Sequence, residues 1–406
     1  MRENPLLNEK NKDRALGCLV GGAVGDALGY AVEFESWPSI RTMYGPKGIT
    51  RYSLSPSGKA LISDDTQMTL FTANGILVGM TRGATRGVMG RIDTYCSFTY
   101  VDWLHTQERL APLPLTEDGE HTEEHVYTWL KRVPELYSRR APGNTCLSAL
   151  MAIERHEMPN NDSCGCGGVM RTAPLAILDY LHGYAGGEYN YCNMVAAEAA
   201  RITHKHPLGF LPSAVLNDIL MQILAGEAEN GNSLEQIVKT ALDRLPSIQS
   251  EPDKNKTYGE LWPLEVTRLE NVIQKALMLA KTDMPDVEAI ERIGGGWTGH
   301  EALAIAIYSA VKHCNSFEDA IVSSVNHSGD SDSTGAICGN IMGTLLGRSA
   351  IPEHYTKDLE LLDIIEEMAS DLVTGCIINE YDPAVTPEEK RWLEKYVYRK
   401  YPKKTS

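Results

Sequence analysis

The sequence predicts an all-α fold, on three observations. Apolar residues recur at helical spacing along most of the chain, alternating strand patterns are scarce, and two segments carry glycine at every fourth position. With 406 residues, 43% hydrophobic and 23% charged, the chain can bury a large core. Helical periodicity runs through 14–34, 66–82, 88–106, 122–138, 144–156, 192–203, 211–225 and 233–244. It resumes through 264–281, 300–314, 317–325, 335–347, 357–373 and 386–400. Gly48 and Gly58 punctuate 47–62, where a short β hairpin fits.

Two polar stretches, 112–125 and 246–258, read as surface loops, because the chemically informative motifs lie on both sides of them. The expectation is one helical domain over 12–375, with 376–406 as a helical extension packed on it. That extension opens with Thr386-Pro387-Glu388-Glu389, the pattern of a capping box with Pro in the first turn. Trp392 and Tyr396 then share a face that should dock on the body.

Glycines 17, 21, 25 and 29 recur in one predicted helix, and glycines 335, 339, 343 and 347 in another. Glycine inside a helix costs about 1 kcal/mol against alanine. Eight of them on single faces therefore predict helices whose backbones approach closely.

The charge balance is strongly acidic, with 38 basic against 54 acidic residues and a net charge of −16. It disfavours nucleic acid or an anionic membrane as partner. The polar N-terminal segment lacks the apolar run of a secretory signal, and no run of 18 apolar residues suggests a membrane span. Nine scattered cysteines fit reduced, mostly buried thiols, so a cytoplasmic monomer is the expectation.

The chemistry concentrates in two oxygen-rich clusters. Ser63, Asp64, Asp65 and Thr66 precede an apolar helical run. One such residue would serve as a helix cap, but two adjacent carboxylates exceed that need. Asp330, Asp332, Ser333 and Thr334 form the second cluster, flanked by Gly329 and Gly335. Without interleaved His or Cys, the donor set suits Mg²⁺, Mn²⁺ or Ca²⁺. If the clusters meet, they offer enough oxygen for two cations. Three glycine-rich loops, at 141–145, 163–168 and 294–299, precede helices and could present N–H groups to a diphosphate.

Taken in order, GCLVGGAVGDALGYAVEF, SDDT, APGNT, GCGGVMRTAPLA, THKHP, GGGWTGHEALAIA and GDSDSTG resemble the motifs of the ADP-ribosylglycohydrolase family. The resemblance implies a compact orthogonal multi-helix domain with a binuclear Mg²⁺ or Mn²⁺ site at the base of an ADP-ribose cleft. It implies Ser63, Asp64, Asp65, Asp330, Asp332 and Ser333 as metal ligands, with Asp65 and Asp332 at the reacting centre. Some members carry an Asp where this chain has Ala141, which leaves Glu33 and Asp102 as acid or base candidates. Gly143, Asn144, Thr145, Gly165, Gly167 and Gly168 would line the diphosphate, and Trp297 would stack on a ribose or adenine. His204, His206 and His327 are assigned structural or supporting roles, since oxygen ligands suffice.

Resemblance to arginine-type members at GDSDST favours release of ADP-ribose from arginine on a protein. Serine-linked or small ADP-ribosyl conjugates are the second expectation. A catalytically silent, crystallin-like structural protein is the third, and the intact acidic clusters argue against it.

Overall fold

The computed structural model describes residues 6, 8–116, 119–123, 125–183, 189–245, 262–379 and 386–400. The polar stretch 246–258 and parts of the expected C-terminal extension lie outside them. Seventeen α-helices are present among the described residues. The first six are α1 (Glu9–Tyr30), α2 (Trp37–Tyr44), α3 (Asp64–Arg86), α4 (Ile92–Glu108), α5 (Asn144–Glu154) and α6 (Pro174–His182). Then come α7 (Tyr189–Arg201), α8 (Pro207–Leu224), α9 (Leu234–Arg244), α10 (Trp262–Leu279), α11 (Asp286–Ile293) and α12 (Gly299–Lys312). The chain closes with α13 (Phe317–Val325), α14 (Ser331–Leu346), α15 (Glu353–Thr356), α16 (Leu362–Thr374) and α17 (Pro387–Tyr396).

Pairing between strand-like residues is limited to isolated bridges among the described residues. The expected hairpin at 47–62 is absent. Gly48 and Gly58 instead adopt left-handed φ of 71° and 76° in turns, and Ala60 bridges in parallel to Leu359. The helix expected over 122–138 is also absent. Only two 3₁₀ turns form there, Trp129–Arg132 and Pro134–Leu136. Pro134 cannot donate to a helical ladder, and the Tyr127 and Thr128 N–H groups are taken by the Asp102 carboxylate at 2.6 and 2.8 Å. Periodicity alone did not reveal α2, α6 and α11, which are 8, 9 and 8 residues long.

The glycine faces of α1 and α14 meet as an antiparallel pair. A Cβ on Gly25 would lie 1.9 Å from the Gly335 carbonyl oxygen, and one on Gly339 would lie 2.0 Å from that of Gly21. Only glycine permits this approach at either position. Asn340 secures the seam by donating from Nδ2 to the Cys18 carbonyl at 2.8 Å.

Helix α8 is long and apolar enough to cross a bilayer by length and composition, yet it is wholly buried inside the fold. It is a core helix, consistent with its buried polar residues Asn217, Asp218 and Gln222. α17 has the expected capping box, and its buried Trp392 donates to Thr81 Oγ1 at 2.9 Å, tying the helix to α3. All nine cysteines are free thiols.

Candidate metal centre

Three helix ends converge on one acidic group. The C-terminal end of α1 brings Asp26 and, just beyond it, Glu33. The N-terminus of α3 brings Ser63, Asp64 and Asp65, and that of α14 brings Asp330, Asp332 and Ser333. All eight are buried. Asp332 is the electrostatic hub, since its charge acts on Asp26, Glu33, Asp64, Asp65 and Asp330. The two clusters, far apart in sequence, therefore share one electrostatic environment.

Local bonding explains how the α3 turn is held. Ser63 caps α3 by accepting from the Asp65 N–H at 3.2 Å. Asp26 accepts from the N–H groups of Ser63, at 3.0 Å, and Thr66, at 3.1 Å, and from the Thr66 hydroxyl. Asp26 is thus a second cap on α3, supplied from α1. At α14, Asp330 caps by accepting from the Ser333 N–H at 3.3 Å, and Asp332 accepts from the same group at 2.9 Å. The Cys166 thiol donates to Asp330 Oδ2 at 2.8 Å.

The energetics of the group are unfavourable as it stands. Burial, then the charge of Asp332, pushes Asp64, Asp65 and Asp330 well above the usual carboxylate range. The same causes, in the same order, push Asp26 up to about 7 and Glu33 up to about 10. Each helix N-terminus offsets roughly 0.3–1 kcal/mol per charge, whereas burying an ion costs several kcal/mol. The dipoles therefore do not balance the burial, and no Lys or Arg among the described residues forms an ion pair with the group. Protons or bound cations must compensate.

The donor chemistry fits divalent cations. Asp65 Oδ2 and Glu33 Oε2 are buried without a hydrogen-bond partner. Such orphaned acceptors cost free energy unless something positive meets them. The ligand atoms are all hard oxygens, which suits Mg²⁺ or Mn²⁺. Among the described residues, however, no three His, Cys, Asp or Glu side chains already converge as a ready-made coordination shell.

The surrounding loops are knitted together. The Cys166 N–H donates to the Trp297 carbonyl at 3.2 Å, the Gly299 N–H to Cys164 at 2.8 Å and the Asp330 N–H to Gly295 at 2.9 Å. Trp297 is 46% exposed and stacks on Phe34, itself 73% exposed, with ring centroids 6.0 Å apart. Gly143 and Asn144 are exposed at the start of α5, and the Gly143 N–H reaches Asp64 Oδ2 at 3.4 Å. Thr145 Oγ1 meets Ser163 Oγ at 3.1 Å, joining two of the glycine-rich loops.

Other sequence candidates take different places. A Cβ on Gly168 would lie 2.3 Å from the Gly209 carbonyl oxygen, and one on Gly167 would lie 2.9 Å from the His204 ring. These glycines serve packing, and buried Gly168 stands away from any open rim. Gly165 is partly exposed, and its N–H donates to Ser163 Oγ at 3.3 Å.

Asp102 is not brought to the acidic group. Its hydrogen bonds go to Tyr127 and Thr128, and Lys131 Nζ lies 3.7 Å away, so it holds the 127–131 segment. The histidines are structural. His206 caps α8 by accepting from the Leu208 N–H, and His327 Nε2 pairs with Thr334 Oγ1 at 3.0 Å. Burial pushes His327 down to about 4, which keeps it neutral.

Sequence reasoning missed Asp26 and Cys166. The available signal for Asp26 was a lone acid on a glycine-faced helix, since a buried carboxylate needs partners.

A 23% identical relative, ADP-ribosylhydrolase ARH1 of Dictyostelium discoideum, matches over 90% of this chain and 95% of its own. Human ADP-ribosylhydrolase ARH3 is 22% identical over 89% of this chain and 93% of its own. A solved chain described as an ADP-ribosylglycohydrolase-related protein complex superposes with a TM-score of 0.58 at 20% identity. That superposition covers 90% of this chain and 99% of the other, which establishes the shared fold. The family model for ADP-ribosylglycohydrolase matches residues 7–381, and the chain belongs to the ADP-ribosylglycohydrolase family.

Proposed function

We propose that this member of the ADP-ribosylglycohydrolase family hydrolyses the N-glycosidic bond between ADP-ribose and an arginine side chain on a protein, using two Mg²⁺ or Mn²⁺ ions. The observation that carries the reading is a buried group of carboxylates, two with orphaned oxygens, that has no basic ion-pair partner among the described residues. Ser63, Asp64, Asp65, Asp330, Asp332 and Ser333 would hold the cations. Bound there, the ions would supply Lewis-acid polarisation of the ribose hydroxyls and of an attacking water.

The chain's own groups do the remaining work. Asp26 fixes the Ser63–Thr66 turn, so that Asp64 and Asp65 face their partners from α14. Glu33, buried next to exposed Phe34, can exchange a proton at Oε2 with the leaving group as the oxocarbenium-like transition state develops. Trp297 and Phe34 offer flat apolar surface for a ribose or adenine, and the exposed Gly143 and Asn144 can present backbone groups to the diphosphate.

The second reading, release of serine-linked ADP-ribose, is supported by Glu33 and by near-equal identity to relatives named ARH1 and ARH3, at 23% and 22%. The test is hydrolysis of arginine-linked and serine-linked ADP-ribosyl peptides by the full chain, with Mg²⁺, Mn²⁺ or EDTA. Release from the arginine peptide that EDTA abolishes is the expected result. Release from serine alone selects the second reading, and release unaffected by EDTA removes the cations from both.

A further inference from the structure

A cavity of about 680 Å³ opens far from the acidic group. Its size falls in the range of small-molecule sites, about 300–1,000 Å³. It is walled by the C-terminal half of α3, the start of α4 and the end of α17. Asp65 and Arg82 lie on the same helix, and at 1.5 Å per residue the two sites are about 25 Å apart along it.

Four arginines line this cavity: Arg82, Arg86, Arg91 and Arg399. Arg91 is engaged by Asp93 through two hydrogen bonds, at 3.0 and 3.2 Å. Arg82 and Arg86 form no ion pair with any described carboxylate. The buried Arg399 Nε–H has no hydrogen-bond partner, and this guanidinium lies 6.0 Å from the Tyr127 ring centroid. Arg91 also lies 3.8 Å from Glu198, and the Asp102 charge acts on Arg399, so Arg82 and Arg86 are the two guanidinium groups here without an acidic partner among the described residues. The cavity is also lined by an aromatic pair, Phe98 and Tyr127, which stack with centroids 4.6 Å apart and planes at 15°. Unpaired guanidinium groups and flat aromatic surface lining one cavity match a ligand that joins an anion to an aromatic ring.

We infer that this cavity is a second, non-catalytic site for a nucleoside phosphate, with Arg82, Arg86 and Arg399 on the phosphate and the Phe98–Tyr127 stack against the base. Arg82 and Arg86 are exposed on the outer turns of α3, so replacing them leaves the core intact. The site does not depend on the proposed hydrolysis, and its test reads binding and location.

AMP is the probe, offered to the full chain in equilibrium dialysis, with 8-azido-AMP photolabelling and peptide mapping to locate it. The expected result is saturable AMP binding with label on peptides carrying Tyr95, Phe98 or Tyr127. The double variant Arg82→Ala/Arg86→Ala should weaken AMP at least about tenfold while ADP-ribosyl hydrolysis is unchanged. Phe98→Ala should weaken AMP similarly yet leave inorganic phosphate binding as it was. No AMP binding, label confined to 141–145 and 163–168, or inorganic phosphate binding as tight as AMP would each overturn the assignment.

Discussion

The helix pair α1 and α14 has two ends of opposite character. Along its length, glycines set backbone against backbone with no room for a methyl group. At the end where α14 begins, Asp330 and Asp332 face Asp26 and Glu33, and every carboxylate is held above its ordinary pKa. One end is complete on its own, and the other requires a proton or a cation. The close-packed end holds the repulsive end in place, so perturbing the two should change stability in opposite directions.

The largest effect is expected from relieving the repulsion. Asp332→Asn removes the hub charge, and hydrolysis should fall by about 10³-fold, roughly 4 kcal/mol in the barrier. In EDTA, the same variant should melt above wild type by calorimetry. Unchanged hydrolysis, or a lower melting temperature in EDTA, would contradict the division of roles.

Breaking the packed end should do the reverse. Gly339→Ala places a methyl group 2.0 Å from the Gly21 carbonyl oxygen, and overpacking of this kind costs about 1–3 kcal/mol or more. Urea unfolding should show that loss, and Mn²⁺ affinity by titration should fall with it as the helix ends separate. A variant as stable as wild type would mean that the seam can yield.

The most gradual effect, spread over pH, separates the two ends without mutation. Asp26 is pushed up to about 7 by burial and then by Asp332, from an ordinary value of 3.8. The folded protein therefore holds this proton more tightly than the unfolded chain does. The stability from that proton is fully present below about pH 4 and is lost as pH rises through 7, at about 1.4 kcal/mol per unit at most. Chelated wild type should lose melting temperature over that window relative to the protein with Mg²⁺. A chelated Asp332→Asn protein should show a shallower slope.

Much of this contrast was legible in the sequence, for physical reasons. Glycine at every fourth position is improbable unless a neighbour needs the space, and Asp64-Asp65 and Asp330-Ser-Asp332 exceed what helix capping requires. Asp26 was not legible, because its partners, the Ser63 and Thr66 N–H groups and the Thr66 hydroxyl, lie on another helix far along the sequence. Asp102 misled in the opposite sense, since its partners Tyr127 and Thr128 lie in a segment whose periodicity imitated a helix. At Gly167 and Gly168 the sequence could not separate tight packing from phosphate binding, since both call for glycine.

The seam between α1 and α14 also has a consequence for biosynthesis. Gly25 must wait for Gly335, so α1 lacks this partner until some three hundred further residues have been made. At about 5–20 residues per second, the delay is on the order of 15–60 s. Throughout that time the glycine face of α1 lacks the helix that fits it. The seam is therefore a contact of high sequence separation, and its closure comes late in folding.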